Sequence, residues 1–283
     1  MSVFSELEAA DAYCRLLTRR HYENFLIVSG LPLRSPLRRD LYRIYAYCRT
    51  TDDLGDESGA SARARLERWR DDVLDLFAQK TPVHPVLVAL RETIARKQLS
   101  PDPFLALIEA NLQDQEVSSY ETWADLRAYC MRSAAPVGRM VLGVFDLVNP
   151  QTTRLSDDVC IGLQLANFAQ DVSWDAAKGR SYLLQSELRS GGVAAAVRAH
   201  CDRARALLGS GRALEALAPA PLRRQLALYR LGGLSIIAAV ERAGYRSDVR
   251  RPRLSAFAKS VLLLQMLLSG KRWERRVDEF ETV

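Results

Sequence analysis

The sequence predicts an all-α protein, and two observations support this prediction. Apolar residues recur at helical spacing through most of the chain; within residues 60–78 they stand at Leu66, Trp69, Val73, Leu76 and Phe77. No segment shows the convincing alternation of apolar and polar residues, with a period of two, that a half-buried β-strand requires.

Proline and glycine mark the ends of the expected helices. Residues 82–97 form one such helix, and Pro85 still falls in its first turn, where proline is tolerated. The next expected helices run from Ser100-Pro101 toward Leu112, over 121–148 and over 154–178. The remaining breaks fall at Asn149-Pro150, Gly191-Gly192, Ala218 to Pro221 and Arg251-Pro252.

Length and composition indicate one globular domain over residues 1–283. The chain is 48% hydrophobic and 26% charged, which is enough apolar material for a sizeable core, and no linker or repeat divides it. Its five cysteines are scattered without metal-ligand spacing, so we expect reduced thiols in a cytoplasmic protein. The acidic N-terminal segment lacks the basic start and apolar run of a signal peptide.

The net charge of +6 is spread over many arginine pairs, which we interpret mainly as solvated surface. No nucleic-acid motif accompanies these pairs, so we expect no nucleic-acid partner. Peripheral contact with an anionic membrane surface remains an alternative.

Residues 254–269 are the most apolar stretch, but they are shorter than the roughly 20 residues that span a bilayer and contain Lys259. We expect a buried C-terminal helix there, with a helix lying on a membrane surface as the alternative.

Two clusters of acidic residues indicate the function. The first contains Asp52 and Asp56, and the second contains Asn167, Asp171 and Asp175. Residues four positions apart are one turn plus roughly 40° apart on a helix, so each cluster shares one face. Burying a charge is costly unless something compensates it, and Mg²⁺ bridging to a substrate phosphate does so. Two such faces turned toward each other would hold a diphosphate.

Basic and polar side chains accompany both acid clusters. Those near the first are Tyr45 and Arg49, and those near the second are Gln164, Lys178, Arg180 and Tyr182. Arginine and lysine hold phosphate oxygens, which is what binding and ionising a diphosphate requires. One cluster alone is equally well explained by exposed ion pairs on a helix. Two spaced clusters with matched cations favour the diphosphate site.

Four ordered motifs resemble the squalene/phytoene synthase family. In chain order they are residues 45–57 (first aspartate-rich motif), 129–138 (tyrosine motif), 164–183 (second aspartate-rich motif) and 244–255 (C-terminal signature). The resemblance runs from about His21 to Lys259, which is most of the chain. It implies the isoprenoid synthase fold, in which antiparallel helices surround a central cavity.

The resemblance also implies a set of functional residues. The implied Mg²⁺ ligands are Asp52, Asp56, Asn167, Asp171 and Asp175. The implied catalytic residues are Tyr129, Asp52, Asp56, Asp171 and Asp175. The implied contacts to substrate or diphosphate are His21, Tyr45, Arg49, Gln164, Asn167, Gln170, Lys178, Arg180, Tyr182 and Tyr245.

Two departures from the family pattern favour one branch. Members that condense two prenyl diphosphates usually carry arginine where this chain has Gln170, and often glutamate where it has Trp174. Two diphosphates need more fixed positive charge than one, so a neutral Gln170 favours a substrate with a single diphosphate. Residues 21–25 and 167–171 are similar to the bacterial hopanoid-pathway branch, which implies conversion of presqualene diphosphate to hydroxysqualene.

Other functions stay open from sequence. Within the family, the alternatives are condensation of two farnesyl diphosphates to presqualene diphosphate or squalene, and of two geranylgeranyl diphosphates to phytoene. No G-x-G-x-x-G fingerprint is present, so a reductive step that uses a nicotinamide is less expected. A non-catalytic binding protein would be expected to lose acids from one cluster, whereas both are intact here.

Overall fold

The computed structural model describes residues 3–20, 35–56 and 59–253, and these residues are predominantly helical. The first five helices are α1 (Val3–Arg20), α2 (Pro36–Asp56), α3 (Ala62–Phe77), α4 (Pro85–Lys97) and α5 (Asp102–Gln113). The others are α6 (Trp123–Ser133), α7 (Ala135–Val144), α8 (Pro150–Gln170), α9 (Val172–Ala177), α10 (Gln185–Gly209), α11 (Gly211–Leu217) and α12 (Ala220–Arg242). A short 3₁₀ turn, Gly59–Ser61, precedes α3. The all-α prediction is confirmed.

Two short strands lie among the helices, and the sequence patterns missed them. They are β1 (Ser119–Tyr120) and β2 (Ser181–Leu184), which pair in parallel. Segments of two and four residues are too short to show a period-two pattern. Their pairing joins the segment before α6 to the segment after α9, which brings Tyr120 and Tyr182 together.

Two of the long helices expected from sequence are divided. The segment 121–148 forms α6 and α7, because Pro136 has no N–H to continue the helix and its ring crowds the preceding turn. The segment 154–178 divides at Asp171 into α8 and α9. Helix α8 also begins earlier than expected, since the Asn149 side chain accepts hydrogen bonds from the N–H groups of Gln151 and Thr152, both at 3.0 Å.

Buried apolar residues form two clusters. One cluster is built mainly from α1 to α5 and α7, and the other mainly from α6, α8, α10 and α12. None of the helices in the described part of the chain combines the length and hydropathy needed to cross a bilayer. The apolar stretch 254–269 lies outside the described residues.

A buried arginine fixes the orientation of α2. Arg43 is 1% exposed and donates hydrogen bonds to both carboxylate oxygens of Asp11, at 2.7 and 2.9 Å, and to Glu92 at 2.8 Å. These bonds join α2 to α1 and α4. Asp52 lies about two and a half turns beyond Arg43, which is the opposite face of the helix. Anchoring Arg43 on one side therefore directs Asp52 to the other side.

Candidate active site

A cavity of about 500 Å³ opens between α2, α5, α6, α7, α8 and α12. Its walls are apolar over much of their area, with side chains such as Leu107, Val141, Leu163 and Leu226. Its polar side chains include Arg49, Asp52, Asp56, Asn111, Asp114, Gln164, Asn167 and Arg180. The volume of this cavity falls within the range of small-molecule sites. Its charged side chains and apolar walls together suit a ligand that has an anionic group and an apolar body.

The first acid cluster lies on the last turns of α2, and both Asp52 and Asp56 line the cavity. Gly55 lets α5 approach this turn, because a Cβ at that position would lie 2.6 Å from Oδ1 of Asn111. Asn111 in turn donates a hydrogen bond to Asp52 at 3.4 Å. The glycine inside the motif is therefore explained by helix packing, and Asn111 is a residue of the site that the sequence patterns missed.

The pKa of Asp52 is raised to about 7, mainly by the protein atoms that crowd the carboxyl group. The bond from Asn111 and the charge of Arg49 lower the pKa, while the neighbouring Asp56 and Asp53 raise it. Asp52 is nevertheless open toward the cavity. A cation that enters the cavity beside Asp52 would therefore stabilise the ionised form of this carboxylate.

The second acid cluster begins on α8 and continues beyond its end. Asn167 and Gln164 line the cavity from α8, whereas Asp171 stands at the junction with α9 and Asp175 lies on α9. The N–H of Asp171 bonds to the carbonyl of Asn167, and the N–H of Asp175 to that of Asp171, each at 2.8 Å. The spacing of one helical turn is therefore kept across the break. Burial and the charge of Asp171 raise the pKa of Asp175 to about 6.

Ion pairs connect the two clusters. Lys178 and Arg180, which follow α9, reach Asp56 at the end of α2 at 3.4 and 3.3 Å. The first cluster thus meets the cations that belong to the second. These partly exposed pairs bring carboxylates and cations to one end of the cavity, where a diphosphate and its counterion would exchange with them.

Four aromatic rings stack beside the cavity. Tyr129 lies 5.7 Å from Tyr182 and 6.5 Å from Phe168, and the rings of Phe168 and Tyr182 are parallel at 3.9 Å. Tyr120 completes the group, 5.2 Å from Tyr129. Burial raises the pKa of both Tyr129 and Tyr182, so their hydroxyl groups remain protonated. Negative π-faces of this kind favour nearby positive charge.

Asp114 is an acid in this site that neither cluster contains. It accepts a hydrogen bond from the hydroxyl of Tyr129 at 2.8 Å, while its Oδ1 is buried without a hydrogen-bond partner among the described residues. Burial raises its pKa to about 6, and the Tyr129 hydroxyl and the charge of Arg180 oppose that rise. The sequence pattern did not identify Asp114, because it has no acidic partner one helical turn away. Its partners lie on other elements, Tyr129 on α6 and Tyr182 on β2.

The C-terminal part of the described chain reaches the second cluster. Arg251 donates to both oxygens of Asp171, at 2.5 and 3.1 Å. Gln170 is 8% exposed, and its amide donates to the carbonyl of Pro252 at 2.8 Å. Gln170 thus anchors the segment that carries Arg251 and is not among the cavity-lining residues. Arg251 supplies a cation beside the position where condensing relatives carry one.

Not every predicted residue lines the cavity; those of the described chain that do not are Tyr45, Gln170, Asp171, Asp175, Lys178, Tyr182 and Tyr245. Tyr45 lies half-buried on α2, where burial raises its pKa. Tyr245 follows α12 and its ring packs against Arg198 of α10, with the guanidinium 4.5 Å from the ring centre. His21 lies outside the described residues. The roles of these three side chains stay predictions.

The oxygen donors fit a magnesium ion that shares its coordination with a phosphate. Within the described residues, no group of three or more His, Cys, Asp or Glu side chains is close enough to hold an ion alone. Magnesium is usually bound by one or two carboxylates together with substrate phosphates and water. Asp52 and Asp56 on one side, and Asn167 with its neighbours on the other, provide donors of that type.

Comparisons with known proteins identify relatives of this chain. A family model described as squalene/phytoene synthase matches residues 18–258. The chain is similar to phytoene synthase from Arthrospira platensis, with 32% identity covering 63% of each protein. It is also similar to chloroplastic phytoene synthase 3 of Zea mays, with 34% identity covering 66% of this chain and 45% of that protein. The matches thus span about half to two thirds of these relatives.

Two solved structures resemble this chain over a larger share of its length than the two phytoene synthases do. Squalene synthase HpnC from Alicyclobacillus acidocaldarius is 44% identical, with a TM-score of 0.79, over 85% of this chain and 96% of that one. A dehydrosqualene synthase is similar over 99% of both chains with a TM-score of 0.83, but at 23% identity this likeness concerns the fold alone.

Proposed function

Because this chain belongs to the squalene/phytoene synthase family, we propose that it converts presqualene diphosphate to hydroxysqualene with loss of diphosphate. One observation supports this proposal above all. The cavity has carboxylates and cations at one end and apolar walls elsewhere, which matches a lipid diphosphate. An enzyme that forms isoprenoids needs both features in one site.

Two further observations favour a substrate with one diphosphate. The neutral Gln170 stands where condensing members of the family carry arginine, and its side chain is engaged with Pro252. The chain is also 44% identical to a bacterial protein named squalene synthase HpnC, over nearly all of that protein. Arg251 supplies one cation in this neighbourhood, where it pairs with Asp171.

In the proposed reaction, the carbon–oxygen bond to diphosphate breaks and its electron pair leaves with the diphosphate. In this proposal Arg49 and Arg180, which line the cavity, and Lys178, which pairs with Asp56, would stabilise the charge that develops on the leaving group. The cation rearranges, and water forms the new carbon–oxygen bond and releases a proton. Presqualene diphosphate and water thus give hydroxysqualene, diphosphate and a proton.

The apolar walls and stacked rings protect the carbocation in this proposal. Side chains such as Leu107 and Val141 exclude bulk water, so the cation has time to rearrange. Tyr129, which lines the cavity, and Tyr182, whose ring stacks beside it, both keep their protons, so neither acts as a phenolate nucleophile. Asp114 holds the Tyr129 hydroxyl in place.

We further propose Mg²⁺ as the cofactor. Asp52, Asp56, Asn167, Asp171 and Asp175 would hold it together with the substrate diphosphate. Bound Mg²⁺ neutralises phosphate charge and so makes diphosphate a better leaving group. Asp171 and Asp56 would exchange their present partners, Arg251 and the Lys178–Arg180 pair, for the metal and phosphate. The proposal places the enzyme in the cytoplasm, with peripheral contact at a membrane that contains its lipid substrate.

Product analysis in ¹⁸O-labelled water tests the reaction. Purified protein with Mg²⁺ is given presqualene diphosphate or farnesyl diphosphate separately, each with and without NADPH. We expect rapid consumption of presqualene diphosphate, slow condensation of farnesyl diphosphate, and an alcohol that carries ¹⁸O. Efficient condensation of farnesyl diphosphate, or an unlabelled hydrocarbon as sole product, would refute the proposal.

Condensation is the second candidate, and the named relatives support it. The relatives from Arthrospira platensis and Zea mays are both named phytoene synthases. Farnesyl diphosphate would then give presqualene diphosphate or squalene, and geranylgeranyl diphosphate would give phytoene. A parallel incubation with geranylgeranyl diphosphate distinguishes these outcomes by the chain length of the product.

A further inference from the structure

Five arginines surround a shallow depression of about 620 Å³ at the end of α12. Its charged residues are Arg242, Arg246, Arg250, Arg251 and Arg253. Arg246 is paired with Asp248, and Arg251 with Asp171. The other three arginines are exposed and have no carboxylate partner among the described residues. Among the described residues, the depression therefore carries an excess of positive charge.

Exposed apolar side chains accompany this charge. Val249, inside the depression, is 70% exposed. Trp174 on α9 is 62% exposed, and it is adjacent to the same segment, because the N–H of Ser173 bonds to the carbonyl of Ser247 at 3.2 Å. Tryptophan favours the boundary between lipid and water, where its ring is apolar and its N–H remains hydrated. Arginines flanked by exposed tryptophan and valine are therefore suited to a lipid headgroup layer.

We propose that this arginine surface, composed of Arg242, Arg250, Arg253, Val249 and Trp174, docks the enzyme on the anionic headgroups of a bilayer. The inference deepens the proposed function and rests on it, since both proposed substrate and product are lipids. Gln170 and Arg251 connect the surface to the second acid cluster through Pro252 and Asp171. Docking there places the acid end of the site beside the membrane that supplies the substrate.

A nucleic acid fits the surface less well. Binding single strands needs several aromatic side chains on which successive bases stack, and the surface offers Trp174 alone. The described depression is shallow and holds about 620 Å³. An anionic bilayer requires only local positive charge and a few side chains that enter its interface.

Vesicle sedimentation tests the inference with the full chain, without substrate or metal. The vesicles contain phosphatidylcholine alone or with phosphatidylglycerol. We expect binding only to the anionic vesicles, and weaker binding in higher salt. Each arginine near such a surface contributes about a fivefold factor, so the combined change of Arg242→Gln, Arg250→Gln and Arg253→Gln should weaken binding by about 100-fold.

A matched variant removes the same charge elsewhere. Arg65→Gln, Arg68→Gln and Arg154→Gln change three exposed arginines on α3 and α8, and this variant should retain much more vesicle affinity than the first. Trp174→Phe should weaken binding slightly and Trp174→Ala more strongly. Equal loss in both triple variants would overturn the inference, as would tighter binding of DNA or RNA than of anionic vesicles.

Activity in detergent separates this inference from the proposed function. The triple variant at the arginine surface should turn over detergent-dispersed substrate at the wild-type rate, with an unchanged melting temperature. It should lose activity only on substrate embedded in anionic vesicles. Binding to anionic vesicles without turnover of any prenyl diphosphate would support the docking surface and refute the proposed reaction. Turnover of presqualene diphosphate without binding to anionic vesicles would refute the docking surface alone.

Discussion

The two acid clusters use the same residue spacing but are held in different ways. The first lies within one continuous helix, where Asp52 and Asp56 are fixed by the backbone of α2. The second crosses the end of α8, and Asp171 is held by Arg251 from a segment 80 residues further along the chain. The helix fixes the spacing of the first cluster, although Asn111, Lys178 and Arg180 contact its carboxylates from elsewhere in the chain. The second cluster crosses a helix break, so we expect loosening of the segment that carries Arg251 to affect it more than the first.

The largest expected effect is the loss of a carboxylate that is proposed to hold Mg²⁺ in either cluster. Asp52→Asn and Asp171→Asn should each lower turnover by at least about 100-fold, because each weakens the binding of the ion proposed to stabilise the charge on the leaving diphosphate. Steady-state assays at saturating Mg²⁺ measure this. Asp71→Asn is the control, since Asp71 is an exposed carboxylate of α3 that does not line the cavity. Near-normal turnover in Asp171→Asn would contradict the assignment of the second cluster.

Asp114 tests whether a residue outside both clusters belongs to the site. Asp114→Asn keeps an oxygen that can accept the Tyr129 hydrogen but removes the charge, so we expect turnover to fall by about tenfold or more. Tyr129→Phe removes the hydrogen bond itself, because it deletes the hydroxyl that donates to Asp114. If both variants and the double variant fall by a similar factor, the pair acts as one unit. Independent, multiplying losses would show that Asp114 does not act through Tyr129.

A smaller effect should follow from loosening only the second cluster. Gln170→Ala removes a buried hydrogen bond to Pro252, which should cost about 1 kcal/mol and lower turnover several-fold by releasing the segment that carries Arg251. The Mg²⁺ concentration that gives half-maximal activity should change with it. Gln225→Ala offers a comparison, since Gln225 is a buried glutamine of α12 that lies outside the cavity lining. Equal kinetic effects in the two variants would indicate general destabilisation.

The smallest effect concerns the stability of the metal-free protein as the pH changes. The pKa of Asp114 is raised to about 6, so the folded state holds this proton more tightly than the unfolded state does. The associated stability is complete below about pH 4, where both states are protonated, and is lost as the pH rises through about 6. Asp114→Asn should therefore unfold at the same denaturant concentration as wild type near pH 4.

At pH 8 the same variant should be more stable than wild type by about 2 kcal/mol or less, because it lacks a carboxylate that is costly to ionise. Urea unfolding in the presence of a chelator, at several pH values, measures the difference. A variant less stable than wild type at pH 8 would show that the Asp114 charge stabilises the fold. A gain in stability together with a loss of turnover would mark Asp114 as a functional residue.

Sequence reasoning identified the residues that local spacing determines. Asp52, Asp56, Gln164 and Asn167 all line the cavity, since a regular helix fixes which side chains share a face. It missed Asp114 and Asn111, whose partners lie on other elements, and the contact of Arg251 with Asp171. It also joined α6 to α7, although Pro136 gave a signal for that break.

The sequence by itself determined the helical class, the two acid faces and the family, because helical periodicity and motif spacing are properties of neighbouring residues. The tertiary structure decided which cations meet which acids: Lys178 and Arg180 face Asp56, and Arg251 holds Asp171. It also decided that Gln170 contacts Pro252. These contacts join residues that are far apart in the chain, so they depend on how the helices pack, and local patterns carry no information about them.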